Sequence, residues 1–135
     1  MASRRFWRQQ ALQALYAVGV GRREPSDAIE EIVGDRAAAE QRVFVRDLVL
    51  GTLEFAPEAD ALIGPVLEGW TIERLPAIDR YLLRMAAFEL RRQPETPSPV
   101  VINEAVELAK KFSTEDSGRF VNGVLSAIAR THERA

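Results

Sequence analysis

The chain has 135 residues, 47% of them hydrophobic and 28% charged, with a net charge of -2 and no cysteine. That length suits one compact domain over residues 1–135 with a real core, the composition argues against global disorder, and without Cys there is no disulfide scaffold, thiol nucleophile or Cys-ligated metal centre. No apolar secretory core opens the chain and no uncharged apolar run approaches the ~18 residues of a membrane span, so a soluble, unsecreted, cytoplasmic protein is expected.

Charge is distributed unevenly. Arg4, Arg5, Arg8, Arg22 and Arg23 all precede the first acid, Glu24, so a basic N-terminal arm over residues 1–10 stands on an acidic body. Such asymmetry points to nucleic acid, although a solvated basic helix has the same signature.

Apolar residues recur at helical spacing nearly everywhere and no segment alternates with period two, which predicts an all-α bundle of about seven helices. The first spans 4–18, with Ser3 as N-cap and Gly19 as its stop. A short second helix, 27–33, ends at Gly34. The third, 37–55, carries Val43, Phe44, Leu48, Val49 and Leu53 and is closed by Pro57. A fourth then packs Ala59, Leu62, Ile63, Val66 and Leu67, bent or broken at Gly64-Pro65. After a helical piece at 72–75, the segment 77–92 is apolar most of the way round, leaving a strip at Arg80, Arg84 and Arg91, and belongs in the middle of the bundle. Ser98-Pro99 reads as N-cap and first turn of a helix over 100–112. Residues 113–117 form a polar turn before the last helix, 118–131, with fraying expected after residue 129.

On a wheel of the first helix, Trp7, Ala11, Ala14, Leu15 and Val18 gather on one side, while Arg5, Gln9, Leu12, Gln13 and Tyr16 gather on another. The second face suits single-stranded RNA, with guanidinium groups on phosphates and a ring stacked on an unpaired base; its alternative is a solvated face with an amphipathic Tyr at the margin. Gly123 interrupts the last helix beside Asn122 and Arg119, which implies either tight packing of a neighbouring helix or the approach of a ligand. Glu89 lies on the apolar side of its helix, either as a hydrogen-bonded core acid, with amides at the start of the next helix as candidate donors, or as a catalytic acid, for which no second acid or His is placed to help. The only histidine, His132, falls in the tail and is expected to take no part. With no Gly-rich phosphate loop, His-Glu zinc motif or Ser nucleophile elbow, enzymatic activity, cofactor and metal are not expected.

Several segments together resemble the NusB family. They are Arg-Arg-x-x-Arg-x-x-Ala-Leu-Gln-Ala-Leu-Tyr at 4–16, Phe-Val-Arg-Asp-Leu-Val-x-Gly at 44–51, Leu-Leu-Arg-Met-Ala-Ala-Phe-Glu-Leu at 82–90, Val-Ile-Asn-Glu-Ala-Val-Glu-Leu-Ala-Lys at 101–110 and Ser-Gly-Arg-Phe-Val-Asn-Gly-Val-Leu at 117–125. The matches come in family order and span nearly the whole chain. The resemblance implies a seven-helix transcription antitermination factor that binds boxA RNA of ribosomal-operon transcripts with the ribosomal protein NusE and helps load an antitermination complex onto RNA polymerase. Carried over by position, the RNA surface combines Arg4, Arg5, Arg8, Gln13 and Tyr16 with Asp116, Ser117, Arg119, Phe120 and Asn122, and Glu73 and Asp79 face the basic partner protein.

The chain departs from the pattern at Phe6-Trp7, where many relatives continue small or basic residues, so its basic arm is thinner. Two alternatives are a domain related to the N-terminal part of certain ribosomal RNA methyltransferases, against which stands the chain's ending where a catalytic domain would begin, and a small all-α enzyme. Apolar patterning leaves a homodimer open.

Overall fold

The computed structural model describes residues 3–35 and 37–134, the side chains of 132–134 excepted, so residues 1 and 2 of the basic arm and the side chain of His132 lie outside the described residues. Among them are six α-helices and no strand: α1 (Arg4–Gly19), α2 (Pro25–Val33), α3 (Ala39–Ile63), α4 (Ala77–Arg92), α5 (Ser98–Phe112) and α6 (Glu115–Arg134), with 3₁₀ turns at Gly64–Val66 and Ile72–Arg74. They fall into two compact units, Met1–Glu54 and Phe55–Ala135.

In the first unit α1 packs on α2. Ser3 caps α1, its hydroxyl accepting the Phe6 amide at 3.3 Å, and the Glu24 carboxylate accepts the Asp27 amide at 3.1 Å to start α2 with Pro25 in its first turn. Gly34 ends α2 in the left-handed region, φ 66°, where a side chain would be strained. Arg42 then ties α3 to that terminus, donating to the Gly34 carbonyl at 2.6 Å and to the Glu30 carboxylate at 2.7 Å, the place where a helix C-terminus favours a cation. The core holds Trp7, Ala11, Leu12, Ala14 and Leu15 with Ala28, Ile29, Val33, Val45, Leu48 and Val49. Val43, expected inside, is exposed, and Val45 is buried in its place.

In the second unit α5 packs against both α4 and α6. Arg84 makes a two-pronged pair with Asp60, both contacts 2.8 Å, and the Phe55 and Phe88 rings meet edge-on with centroids 5.9 Å apart. Gly118 is buried at the α5–α6 approach, where an added Cβ would lie 2.9 Å from Lys110 Cγ.

Several boundaries correct the sequence expectation. Pro57 lies inside α3, which merges the expected third and fourth helices. An interior proline costs ~3 kcal/mol, but Phe55, Ala59 and Ile63 continue one buried stripe across it, and burying each large apolar side chain contributes about 1.5–3 kcal/mol. The α-helix does end at Gly64-Pro65, the pair expected to bend or break it. Ser98 is inside α5 and makes no side-chain cap; Pro97 precedes it. α6 begins at Glu115 rather than 118 and runs to Arg134 rather than 131.

Gly123 is exposed, and a Cβ there would meet nothing within 4 Å, so the tight packing offered for it is absent among the described residues. The two α6 glycines should therefore respond differently. Gly123→Ala is expected to raise stability by about 0.5–1 kcal/mol through helix propensity alone. Gly118→Ala, which must displace Lys110, is expected to lose that gain or melt lower. Denaturant midpoints of the two variants check this.

Candidate nucleic-acid interface

On α1, residues 5, 9, 13 and 16 follow helical spacing and share one face. Arg5, Gln13 and Tyr16 are exposed, Tyr16 by 41% of its surface, and Gln9 is half-buried. Arg4, also exposed, holds its guanidinium 4.6 Å from the centre of the Phe44 ring. The face thus offers cations, amides and a ring in sequence, chemically suited to phosphates and unpaired bases.

Arg8 departs from the expected role. It is only 4% exposed, with its guanidinium 5.6 Å from the same Phe44 ring. Leu12 and Leu15, four and seven residues on, continue its line into the core, so Arg8 belongs to the buried stripe and steadies the arm by cation–π contact rather than standing out toward a phosphate. Leu12, grouped with the polar face by the wheel, is likewise buried.

The second group sits at the start of α6. Thr114 caps the helix, its Oγ1 accepting the Ser117 amide at 3.0 Å. Asp116 is therefore inside the first turn, not before the helix, and it pairs with Arg119 one turn on. Asp116, Arg119 and Asn122 are exposed, while Ser117 and Phe120 are half-buried. Ser117 Oγ lies 2.8 Å from Ser113 Oγ and donates to Asp79 Oδ2 at 3.1 Å.

Asp79 is accordingly not a surface acid facing a partner. It is 4% exposed and turned toward the hydroxyls of Ser113 and Ser117, because residue 79 shares the face of Leu82, Leu83 and Ala86, all buried. Spacing alone carried that signal; Ser113 and Thr114, which complete the network, gave none beyond a polar turn. Glu73 is exposed at the 3₁₀ turn. Glu89 is buried and is not without a partner. Among the described residues no group of three or more His, Asp or Glu could hold a metal ion, and no helix is long and apolar enough to cross a membrane.

Burial raises the Asp79 pKa above its ordinary 3.8, opposed by the Ser117 and Ser113 hydrogen bonds, and its Oδ1 is buried without a hydrogen-bond partner among the described residues. A folded-state value above the unfolded one means that the native state holds the proton more tightly. Ionisation then opposes folding as pH rises through that window, and the full penalty is present at neutral pH. Asp79→Asn is expected to melt higher than the parent at pH 7, with the gap closing as pH falls below 3.8. A lower melting temperature at pH 7 would show that the carboxylate's hydrogen bonds outweigh its desolvation.

A sequence profile of the NusB family matches residues 6–130. The chain is 47% identical over 133 residues to a transcription antitermination protein NusB of Solibacter usitatus, covering 96% of this chain and 90% of that protein, and 40% identical over 133 residues to that of Desulforamulus reducens, covering 98% and 93%. Its fold superposes on T. maritima NusB with a TM-score of 0.90 at 35% identity, covering 96% of this chain and 92% of that one. It superposes on a crystal structure of the antitermination factors NusB and NusE in complex with double-stranded RNA with a TM-score of 0.86 at 29% identity, covering 95% and 96%. The chain belongs to the NusB family.

Proposed function

We propose that the protein is a cytoplasmic transcription antitermination factor that binds boxA RNA of ribosomal-operon transcripts as a single strand, together with NusE, and helps assemble the antitermination complex on RNA polymerase without catalysing a reaction itself. The observation that carries this reading is the exposed α1 face, on which Arg5, Gln9, Gln13 and Tyr16 follow one another at helical spacing. A second group, Asp116, Ser117, Arg119, Phe120 and Asn122 on α6, supplies a cation, an amide and a half-buried ring. Exposed Glu73 is an acid for the basic partner. Family membership and the resemblance to a NusB–NusE–RNA structure support the reading.

The test is polarisation binding to labelled single-stranded boxA RNA, a scrambled strand and a duplex, with and without NusE. Preference for the boxA strand, strengthened by NusE, is expected; equal binding of all three would sink sequence-specific recognition. With Arg8 buried, Arg4 and Arg5 remain to meet phosphates, and at roughly 0.7 per single-strand contact their share of the log–log salt slope is about -1.4. Arg4→Ala with Arg5→Ala should flatten the slope by that amount. Tyr16→Ala should weaken binding by about 1–3 kcal/mol with the slope unchanged, because stacking does not depend on salt.

Asp116 opposes RNA twice: it repels phosphate and occupies Arg119. Because Thr114 is the cap, Asp116→Asn keeps that hydrogen bond and loses the favourable charge at the helix start, about 0.3–1 kcal/mol, together with the exposed pair to Arg119, which contributes little. Tighter boxA binding is expected, most visibly at low salt, where screening is weakest. Weaker binding by a well-folded variant would mean that this carboxylate accepts a hydrogen bond from the RNA.

A further inference from the structure

Between α5 and α6 runs an open groove of about 570 Å³, lined by Asn103, Asn122, Ser126 and Arg130 above an apolar floor that includes Ile102 and Val106. Its size falls in the range of small-molecule sites, roughly 300–1,000 Å³. Asn122 belongs both to this groove and to the α6 group assigned above to RNA, so the two are continuous. On α6 the residues Arg119, Asn122, Ser126 and Arg130 stand at offsets of 0, 3, 7 and 11, one stripe along the helix. At 1.5 Å per residue it is about 16 Å long. A cation stands at each end, with an amide and a hydroxyl between them.

We propose that the α5–α6 groove is a nucleotide subsite, which takes an unpaired RNA base flanking the segment held by the α6 group, with Arg130 on the adjoining phosphate. This rests on the RNA-binding reading of the protein. Asn side chains carry both donors and acceptors and pair with base edges, and the face of the base lies on Ile102 and Val106. Gly123, next to Asn122, is a mid-helix glycine that packing does not require, and it leaves the α6 backbone open to a close-lying sugar or phosphate. The sole formal charge in the groove lining is Arg130, which favours a phosphate-bearing strand over a basic protein segment.

The experiment uses the full chain and three boxA RNAs: one extended by several nucleotides on both sides, and two trimmed to boxA at the 5′ or the 3′ flank. Asn103→Ala with Arg130→Ala, and separately Ser126→Tyr to fill the groove, are compared with the parent, with melting temperatures as the fold control. Each variant is expected to lose about 5- to 30-fold in affinity for the extended RNA, as for a lost base contact together with a phosphate contact, and almost nothing for one of the trimmed RNAs. The double variant's salt slope on the extended RNA should be shallower by roughly 0.7. Equal affinity of parent and both variants for every RNA, or equal losses on extended and trimmed RNAs, would overturn the subsite while Tyr16→Ala still reports the α1 face. Loss of NusE affinity with RNA affinity intact would assign the groove to protein docking and also overturn it. A parent protein that binds none of the three RNAs, with or without NusE, would instead remove the RNA-binding reading on which the subsite rests.

Discussion

An α-helix repeats every 3.6 residues, so each helix of a small protein divides its length between a stripe that leaves water and a stripe that stays in it. The burial pattern of α1 and of α6 follows from that division. α1 buries Trp7, Ala11, Leu12, Ala14 and Leu15 and leaves Arg5, Gln13 and Tyr16 outside. α6 buries Val121, Val124, Leu125 and Ile128 and leaves Arg119, Asn122 and Arg130 outside. The candidate RNA-contacting residues are what each helix retains once its apolar stripe is satisfied. Helices of this kind hold their exposed side chains in fixed register, which limits the ordering entropy lost when a flexible strand is bound.

Two charged groups lie within buried stripes beside the exposed ones. Arg8 lies in line with the core and stacks on Phe44, the ring that also receives Arg4. Asp79 sits against the hydroxyls at the start of α6, and the Thr114 cap and the Ser113–Ser117 contact draw the same turn together. Both are charged side chains in positions where desolvation disfavours charge. Both border on candidate binding groups, so their cost in stability is tied to where the neighbouring exposed residues stand.

Electrostatics in this protein is local rather than global. With a net charge of -2 the molecule as a whole does not attract RNA, and screening at physiological salt confines each charge to about 8 Å. What matters is which cations are exposed and which are occupied: Arg4 and Arg5 are on the surface, Arg8 is inside, and Arg119 is held by Asp116.

The all-α class, the cap at Ser3 and the stop at Gly34 were legible in the sequence, because periodicity, caps and glycine stops act within one or two turns of chain. So was the family, since its motifs recur in order. Proline at 57 misled, because the amide it lacks is a local loss whereas the stripe through Phe55, Ala59 and Ile63 is satisfied only by neighbours elsewhere. Arg8 and Asp79 misled for a related reason: residue type says surface, and only the line each shares with core leucines and alanines says otherwise. Leu12 stands with polar residues by angle alone, yet it is buried on the i, i+4, i+7 line that runs from Arg8 through Leu15. The exposed setting of Gly123 and the groove between α5 and α6 depend on how two helices meet. Sequence alone determined that the chain is helical and which residues are chemically able to bind RNA; tertiary packing decided whether α3 runs on through Pro57 and which of those side chains remain in water, because burial is a property of neighbours distant in the chain.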